Sequence, residues 1–243
     1  LMAGLYNFFL LSMVLVVSVS HVGAFIIAWE IMSIVSFFLV NHEYEYKTNS
    51  RAAYLYILMT HIGTVFVITA FLLLTVSGNS MDFSVLKGVS LDTQLRNVVF
   101  ICAVIGFGTK AGLVPLHIWL PRAHPAAPSH VSALMSGVML KTAIYGMCRF
   151  FLEFLGSGPV WWGALLLVIG MVTALLGALY AFIEHDIKRL LAYSSVENIG
   201  IIMLGIGAGM VFMSSQQPVF AGIAWCAALY HVLNHAVFKS LSF

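Results

Sequence analysis

Long apolar runs separated by short polar stretches occupy most of this chain. A helix needs about 20 consecutive apolar residues to cross the hydrocarbon core of a bilayer, so these runs predict about eight membrane-spanning helices. The expected spans are residues 2–20, 22–41, 52–77, 98–119, 129–155, 160–183, 188–212 and 217–243. The sequence therefore predicts an all-α, polytopic transmembrane helix bundle.

Composition supports this fold class and excludes several functions. Hydrophobic residues make up 61% of the chain and charged residues only 8%, whereas about a quarter of a soluble domain is charged. The net charge of +2 and the absence of a glycine-rich phosphate loop or a basic-aromatic tract argue against nucleic-acid binding. The cysteines Cys102, Cys148 and Cys226 lie far apart in apolar surroundings, which is typical of small buried residues.

The ends of the chain are informative in a different way. No positively charged segment of a signal peptide precedes the first apolar run, and the chain stops at Ser242-Phe243 in the middle of an apolar run. We therefore expect a single membrane domain, residues 1–243, that is truncated at both ends.

Basic loop residues predict the orientation of the bundle. Five of them follow the second, fourth and sixth spans, and three lie on the opposite side. The positive-inside rule places the larger set in the cytoplasm, which predicts a multi-pass protein of the cell inner membrane. The larger set is Lys47, Arg51, Arg122, Lys188 and Arg189; the smaller set is Lys87, Arg96 and Arg149.

Several ionisable residues lie inside the apolar runs. A charge at the bilayer centre costs at least about 2.5–3.5 kcal/mol, so each needs a partner, a water-filled cavity or a function. Glu30, Lys110, Lys141 and Glu197 are of this kind. On the last span, His231, His235 and Lys239 recur at i, i+4 and i+8, which places all three on one helical stripe.

Two interpretations of these groups remain open. They could form static ion pairs or extend towards the interface, or they could form a proton relay. Carboxylates, lysines and imidazoles have proton affinities that neighbouring groups and hydration can change. The number of titratable groups near mid-depth favours the relay.

The fourth span contains a helix break. Pro115 cannot donate a backbone hydrogen bond and disfavours helical geometry at the preceding residue, and Gly112 loosens the same turn. Unpaired backbone groups are tolerated at this depth only where they face protein or water. Lys110 therefore lies beside unwound backbone, as ion sites of transporters do.

A short sequence pattern that occurs twice in the chain suggests an inverted repeat. Leu55-Tyr56, followed after five residues by His61, matches Leu229-Tyr230 followed after five residues by His235. Because the two copies lie five spans apart, they would run in opposite directions, as in many transporters. We expect residues 1–155 to form the first repeat and 156–243 part of a second, with His61 as a further relay candidate.

A metal or cofactor site is not expected. His231 and His235 have the spacing of helical metal or haem ligands, but no acid follows the first histidine and no third ligand is evident. We therefore expect no metal, no cofactor and no catalytic site in this chain.

Four stretches resemble a known family. Residues 106–146 read GFGTKAGLVPLHIWLPRAHPAAPSHVSALMSGVMLKTAIYG, and the others are Trp29-Glu30, residues 186–195 (DIKRLLAYSS) and residues 228–240. They resemble the antiporter-like membrane subunits shared by complex I, group 4 membrane-bound hydrogenases, formate hydrogenlyase and multisubunit sodium/proton antiporters. Glu197 favours the hydrogenase branch, because complex I subunits usually lack an acidic residue at this position.

The resemblance implies roles for individual residues. Glu30 would form an ion pair with Lys110 of the broken helix, and Lys141 would be the bridging lysine of the next helix. His231 and His235 would continue the hydrophilic axis. The chain would be a proton-translocating subunit without redox centres, whose partners are the bilayer, protons and the other subunits of a redox-driven complex.

Alternative functions remain at this point. The chain could bind quinone or haem as a redox subunit, it could be a structural anchor with inert buried charges, or it could carry sodium in a sodium/proton antiporter.

Overall fold

The computed structural model describes residues 2–243, which form helices joined by short connections. Within these residues the one β-type pairing is an isolated antiparallel bridge between His21 and Asp82. The α-helices are α1 (Met2–Ser18), α2 (Val22–Val40), α3 (Lys47–Gly78), α4 (Phe83–Leu86), α5 (Thr93–Ala111), α6 (Leu120–Ala126), α7 (Ser129–Leu134), α8 (Leu140–Cys148), α9 (Val160–Ile183), α10 (Ile187–Ser214) and α11 (Pro218–Ser242).

Short non-α segments interrupt two of the spans. A 3₁₀-helix, Leu116–Trp119, lies between α5 and α6, and π-helical turns at Met135–Met139 and Arg149–Phe154 flank α8. With these segments included, seven helical stretches are long and apolar enough to cross a membrane, and α1 is a shorter apolar helix. The predicted all-α, multi-span membrane bundle is confirmed.

Two predicted loops are partly helical. The polar segment at residues 42–51 was expected to be a loop, but α3 already begins at Lys47. Polarity indicates that a segment lies outside the hydrocarbon, not that its backbone is irregular. Residues 121–128, between the fourth and fifth predicted spans, are largely helix α6; Pro121 lies in its first turn, where no backbone donor is needed, and Pro125 lies within it.

The interior of the bundle lies around the segments from α5 to α8, which are its most buried spans, whereas α9 and α11 are largely exposed. Aromatic rings from five elements pack against one another at one end of this core. Such rings provide large buried contact areas with defined geometry. The cluster consists of Phe25, Trp29, Phe71, Phe83, Phe107, Phe150 and Phe154.

Glycines set the distance between α9 and α10. Gly163, Gly170 and Gly177 recur every seven residues along one face of α9. A Cβ atom at these positions would lie 2.7 Å from the Gly207 oxygen, 2.9 Å from the Gly200 oxygen and 2.4 Å from the Glu197 nitrogen, respectively. Small residues allow such close helix contact inside membranes, and the contact fixes the position of α10 beside the candidate site.

We expect Gly170→Ala to destabilise the protein by about 1–3 kcal/mol, because the added methyl group overlaps the backbone of α10. The free energy of unfolding in mixed detergent micelles measures the effect. Gly222→Ala in α11 is the matched control, since a Cβ there meets nothing within 4 Å and alanine favours a helix by about 1 kcal/mol. Equal stabilities of the two variants would show that the close contact is not present.

Candidate functional site

Lys110 lies in the last turn of α5 and is almost completely buried, with 1% of its surface exposed. Its Nζ donates hydrogen bonds to Ser33 Oγ (2.8 Å) and Tyr56 OH (3.2 Å). Tyr56 OH is in turn 2.5 Å from Ser36 Oγ. We call these four residues the Lys110 cluster. It brings together side chains from α2, α3 and α5.

The predicted break in the fourth span is confirmed. Gly112 has a φ of 85°, in the left-handed region that favours glycine. The N–H groups of Gly112 and Leu113 both donate to the Gly108 oxygen at 2.9 Å, and helical structure resumes at the 3₁₀-helix after Pro115. The chain thus leaves the helix immediately after Lys110.

Side chains satisfy backbone groups near the break. The Val114 N–H donates to Thr173 Oγ1 of α9 (3.2 Å), and the Trp119 indole N–H donates to the Thr109 oxygen (2.8 Å). These bonds satisfy two of the backbone groups beside the break, as an interrupted helix inside a membrane bundle requires.

The predicted direct ion pair between Glu30 and Lys110 is wrong. Ser33, one turn along α2 from Glu30, occupies the position beside the ammonium group. Among residues 2–243, no carboxylate oxygen lies within 4 Å of Lys110 Nζ. Glu30 Oε2 instead lies 3.4 Å from Nε2 of the half-exposed His61, and its Oε1 is buried without a hydrogen-bond partner among residues 2–243.

A second group of polar residues surrounds Lys141, at the start of α8. Lys141 Nζ donates to the Ser136 carbonyl oxygen (2.5 Å), and Ser136 Oγ is 2.7 Å from Ser195 Oγ of α10. Lys239 of α11 is 2% exposed and donates to the Leu191 carbonyl oxygen (3.1 Å). We call these five residues the Lys141 cluster.

The π-helical turn at Met135–Met139 shapes this cluster. π-turns leave carbonyl groups without their usual α-helical partners, and the Ser136 carbonyl accepts from Lys141 instead of from water. Gly137 in the same turn permits the close approach of α11, since a Cβ there would lie 2.0 Å from Ser240 Oγ.

The histidines of α11 lie on one face, as predicted. The His231 and His235 rings are nearly parallel with centroids 6.5 Å apart. His231 Nε2 is 3.0 Å from Asn198 Oδ1, whereas His235 is fully buried and neither ring nitrogen has a hydrogen-bond partner within residues 2–243. Glu197 is partly buried and forms no salt bridge with Lys239.

Met139 separates the two clusters. Tyr56 OH of the Lys110 cluster contacts Met139 Sδ at 3.5 Å, and Met139 lies in the chain between Ser136 and Lys141. A thioether is a weak acceptor and has no proton to donate. Within the described residues, no hydrogen bond with a nitrogen or oxygen acceptor joins the two clusters.

Some residues at the site were not anticipated from the sequence. Ser33 and Ser36 follow Glu30 at intervals of three residues, and Tyr56 begins a polar stripe with Thr60. This helical periodicity on apolar helices was the available signal. His124 of α6 was also missed. It is fully buried, and both its ring nitrogens lack a partner among residues 2–243.

The loop charges divide into two groups, as the alternation of loops predicted. Arg51, Arg122 and Arg189 line one cleft, whereas Lys87 and Arg96 line another. Lys188, one of the basic loop residues, is partly buried and donates to the Ala127 oxygen at 2.8 Å. Within residues 2–243 no group of three potential metal ligands comes together.

The family model for the membrane domain described as "NADH:quinone oxidoreductase/Mrp antiporter, TM" matches residues 19–243. The chain belongs to this family. The residues that carry the match include the broken helix with Lys110 and the π-turn segment before Lys141.

Curated relatives include two subunits from Escherichia coli K12. Hydrogenase-4 component B is 48% identical over 98% of this chain and 35% of its own length. Formate hydrogenlyase subunit 3 is 39% identical over 98% of this chain and 38% of its own length. The chain therefore spans little more than a third of these relatives, and the predicted likeness to the hydrogenase branch is confirmed.

Among solved structures, the Mrp complex from Dietzia sp. DQ12-45-1b matches with a TM-score of 0.84 and 32% identity, over 98% of this chain and 25% of that chain. The bundle described above is therefore an antiporter-like membrane fold.

We expect Tyr56→Phe to destabilise the protein by about 1–3 kcal/mol, because a buried ammonium loses one of its two hydrogen-bond acceptors. In a Lys110→Met background the same change should cost less, with a coupling energy of about 0.5–3 kcal/mol. Unfolding in mixed micelles measures the four free energies. Tyr54→Phe, which removes an exposed hydroxyl from the same helix, should change stability by less than about 0.5 kcal/mol. Additive effects at positions 56 and 110 would contradict the hydrogen bond.

Proposed function

We propose that this chain is the proton-translocating core of a membrane subunit in a redox-driven complex of the hydrogenase-4 or formate hydrogenlyase type. The observation that carries this proposal is the presence of three lysines inside an apolar bundle, of which Lys110 and Lys239 are buried and Lys141 is partly buried. Each of them donates to a hydroxyl or carbonyl oxygen, and none has a carboxylate within 4 Å among residues 2–243.

This arrangement suits a group that gains and loses a proton. A lysine in a tight ion pair is held in its charged form by the partner's negative charge. Hydroxyl and carbonyl oxygens accept from an ammonium group without that fixed charge, and hydroxyls such as that of Tyr56 can accept from the lysine or donate to it. Glu30 is close to Lys110 but not in contact with it. A change in the charge of Glu30, or in its distance from Lys110, would therefore change the stability of the ammonium form.

Transfer between the two clusters requires water. Because Met139 offers no proton of its own, a proton leaving the Lys110 cluster would reach Lys141 only through water molecules beside the thioether. Beyond Lys141, Lys239 with His231 and His235 would extend the path along α11. Hydration of the contact between Tyr56 and Met139 would thus control passage.

The proposal also covers the orientation of the chain in the membrane, its partner subunits and its internal repeats. We place the cleft with Arg51, Arg122 and Arg189 on the cytoplasmic side of the cell inner membrane, as the positive-inside rule suggests. Partner subunits would carry the redox centres, in line with the complexes named for the relatives. Residues 1–155 would form one repeat and 156–243 part of its inverted copy.

Lys110→Ala and Lys141→Ala should each reduce redox-driven proton uptake by about tenfold or more, because each removes a group that passes on the proton. Uptake into vesicles that contain the complete complex measures the effect, with electron transfer monitored in parallel. Repeating the assay with sodium replaced by choline distinguishes protons from sodium as the transported ion.

Lys47→Ala is the matched control, since Lys47 is exposed at the start of α3, and it should leave uptake unchanged. Subunit content must be checked in every variant, because loss of a buried charge's partner can destabilise by about 3–5 kcal/mol and prevent assembly. If both variants assemble and pump like the parent, the relay assignment is wrong and the buried charges serve only as anchors.

A further inference from the structure

The cleft between the start of α3, helix α6 and the start of α10 has a volume of about 490 Å³ and lies outside both buried clusters. Three arginines from three separate elements face it, and none of its nine lining residues is acidic. The lining residues other than arginine are small, apolar or neutral. The cleft is therefore a concentration of positive charge built by tertiary packing rather than by one stretch of sequence.

Two of these arginines are free to bind a ligand. Among residues 2–243, Arg51 and Arg122 form no salt bridge and no side-chain hydrogen bond, and both side chains are exposed. The third, Arg189, has Nε 3.3 Å from Glu184 Oε2, which leaves the rest of its guanidinium group available. The guanidinium group presents paired donors that match the oxygens of a phosphate group.

The first turn of α3 adds to the same cleft. Thr48 and Asn49 line it, and Tyr46 at the N-cap makes no side-chain capping bond. Unpaired N–H groups at the start of a long helix attract negative charge. Asn49 also donates to Glu43 Oε2 at 3.3 Å, so one carboxylate lies next to a lining residue, against three arginines that line the cleft itself.

An apolar surface leads away from the cleft. On α3, Tyr54, Leu58, Ile62 and Val65 follow Arg51 at helical intervals of three and four residues, and all four are exposed. These residues form one stripe along a membrane-spanning helix. A ligand with an anionic head and long apolar chains would therefore contact the arginines and the stripe at the same time.

We propose that this cleft binds the phosphate headgroup of an anionic phospholipid, whose acyl chains lie along the exposed stripe of α3. Basic pockets between transmembrane helices are suited to anionic lipid headgroups. Charge complementarity selects this occupant over a zwitterionic lipid, and the apolar stripe selects it over free phosphate. The bound lipid would join α3, α6 and α10, the elements that carry or flank the buried clusters.

Native mass spectrometry of the complete protein in neutral detergent tests the proposal, with phosphatidylglycerol, phosphatidylcholine and inorganic phosphate as separate probes. Phosphatidylglycerol should bind at least about tenfold more tightly than phosphatidylcholine, and Arg51→Gln or Arg122→Gln should each weaken its binding by about tenfold, since each removes a charge-assisted hydrogen bond. High ionic strength should weaken it as well.

Lys47→Gln is the matched control: it removes one exposed positive charge from the first turn of α3 but does not line the cleft, so binding should remain within about twofold. Equal affinity for the two lipids, or equal losses in all three variants, would overturn the proposal. So would inorganic phosphate that displaces the lipid completely at millimolar concentration. Unchanged lipid binding in the arginine variants, together with loss of a partner subunit, would identify a protein interface instead.

Discussion

An ammonium group inside an apolar bundle has lost the water that would otherwise solvate it, and the protein must supply oxygen acceptors in place of that water. Lys110 imposes this requirement on the elements around it. Its partners Ser33 and Tyr56 come from α2 and α3, so both helices must lie against the end of α5. The same requirement at Lys141 and Lys239 is satisfied by carbonyl oxygens of the π-turn and of α10. Burial of charge thus fixes the relative positions of helices that are distant in sequence.

Interruptions of regular helix lie beside two of these lysines, and one of them supplies a hydrogen-bond acceptor. The break after Lys110 places the ammonium group at the end of a helix, where cations are favoured by the helix dipole. The π-turn before Lys141 provides the Ser136 carbonyl, and Gly137 in that turn lets α11 approach with Lys239 and His235. In both cases a local departure from α-helical geometry lies directly beside the lysine in the chain.

The sequence predicted the fold class, the helix break and the shared face of the α11 histidines, because each depends on local composition or on helical periodicity. It did not predict the partners of the charged groups. Glu30 was expected to pair with Lys110, but the choice between Glu30 and Ser33, one turn apart on α2, depends on the rotation and depth of that helix. The same holds for His124, whose complete burial depends on how α6 packs against the rest of the bundle. The π-turn was also missed, since it arises from the fit between α7, α8 and α11.

The proposed proton path depends most on the gap at Met139, where the Lys110 cluster and the Lys141 cluster approach without a hydrogen bond between them. The most direct measurement is a high-resolution cryo-electron microscopy structure of the complete complex during turnover, with density examined for water between Tyr56 and Lys141. The proposed path predicts ordered water bridging the two clusters past Met139 in at least one turnover state and a dry contact in the resting state. A contact between Tyr56 and Met139 that stays dry in every state, in a complex that pumps protons, would contradict it.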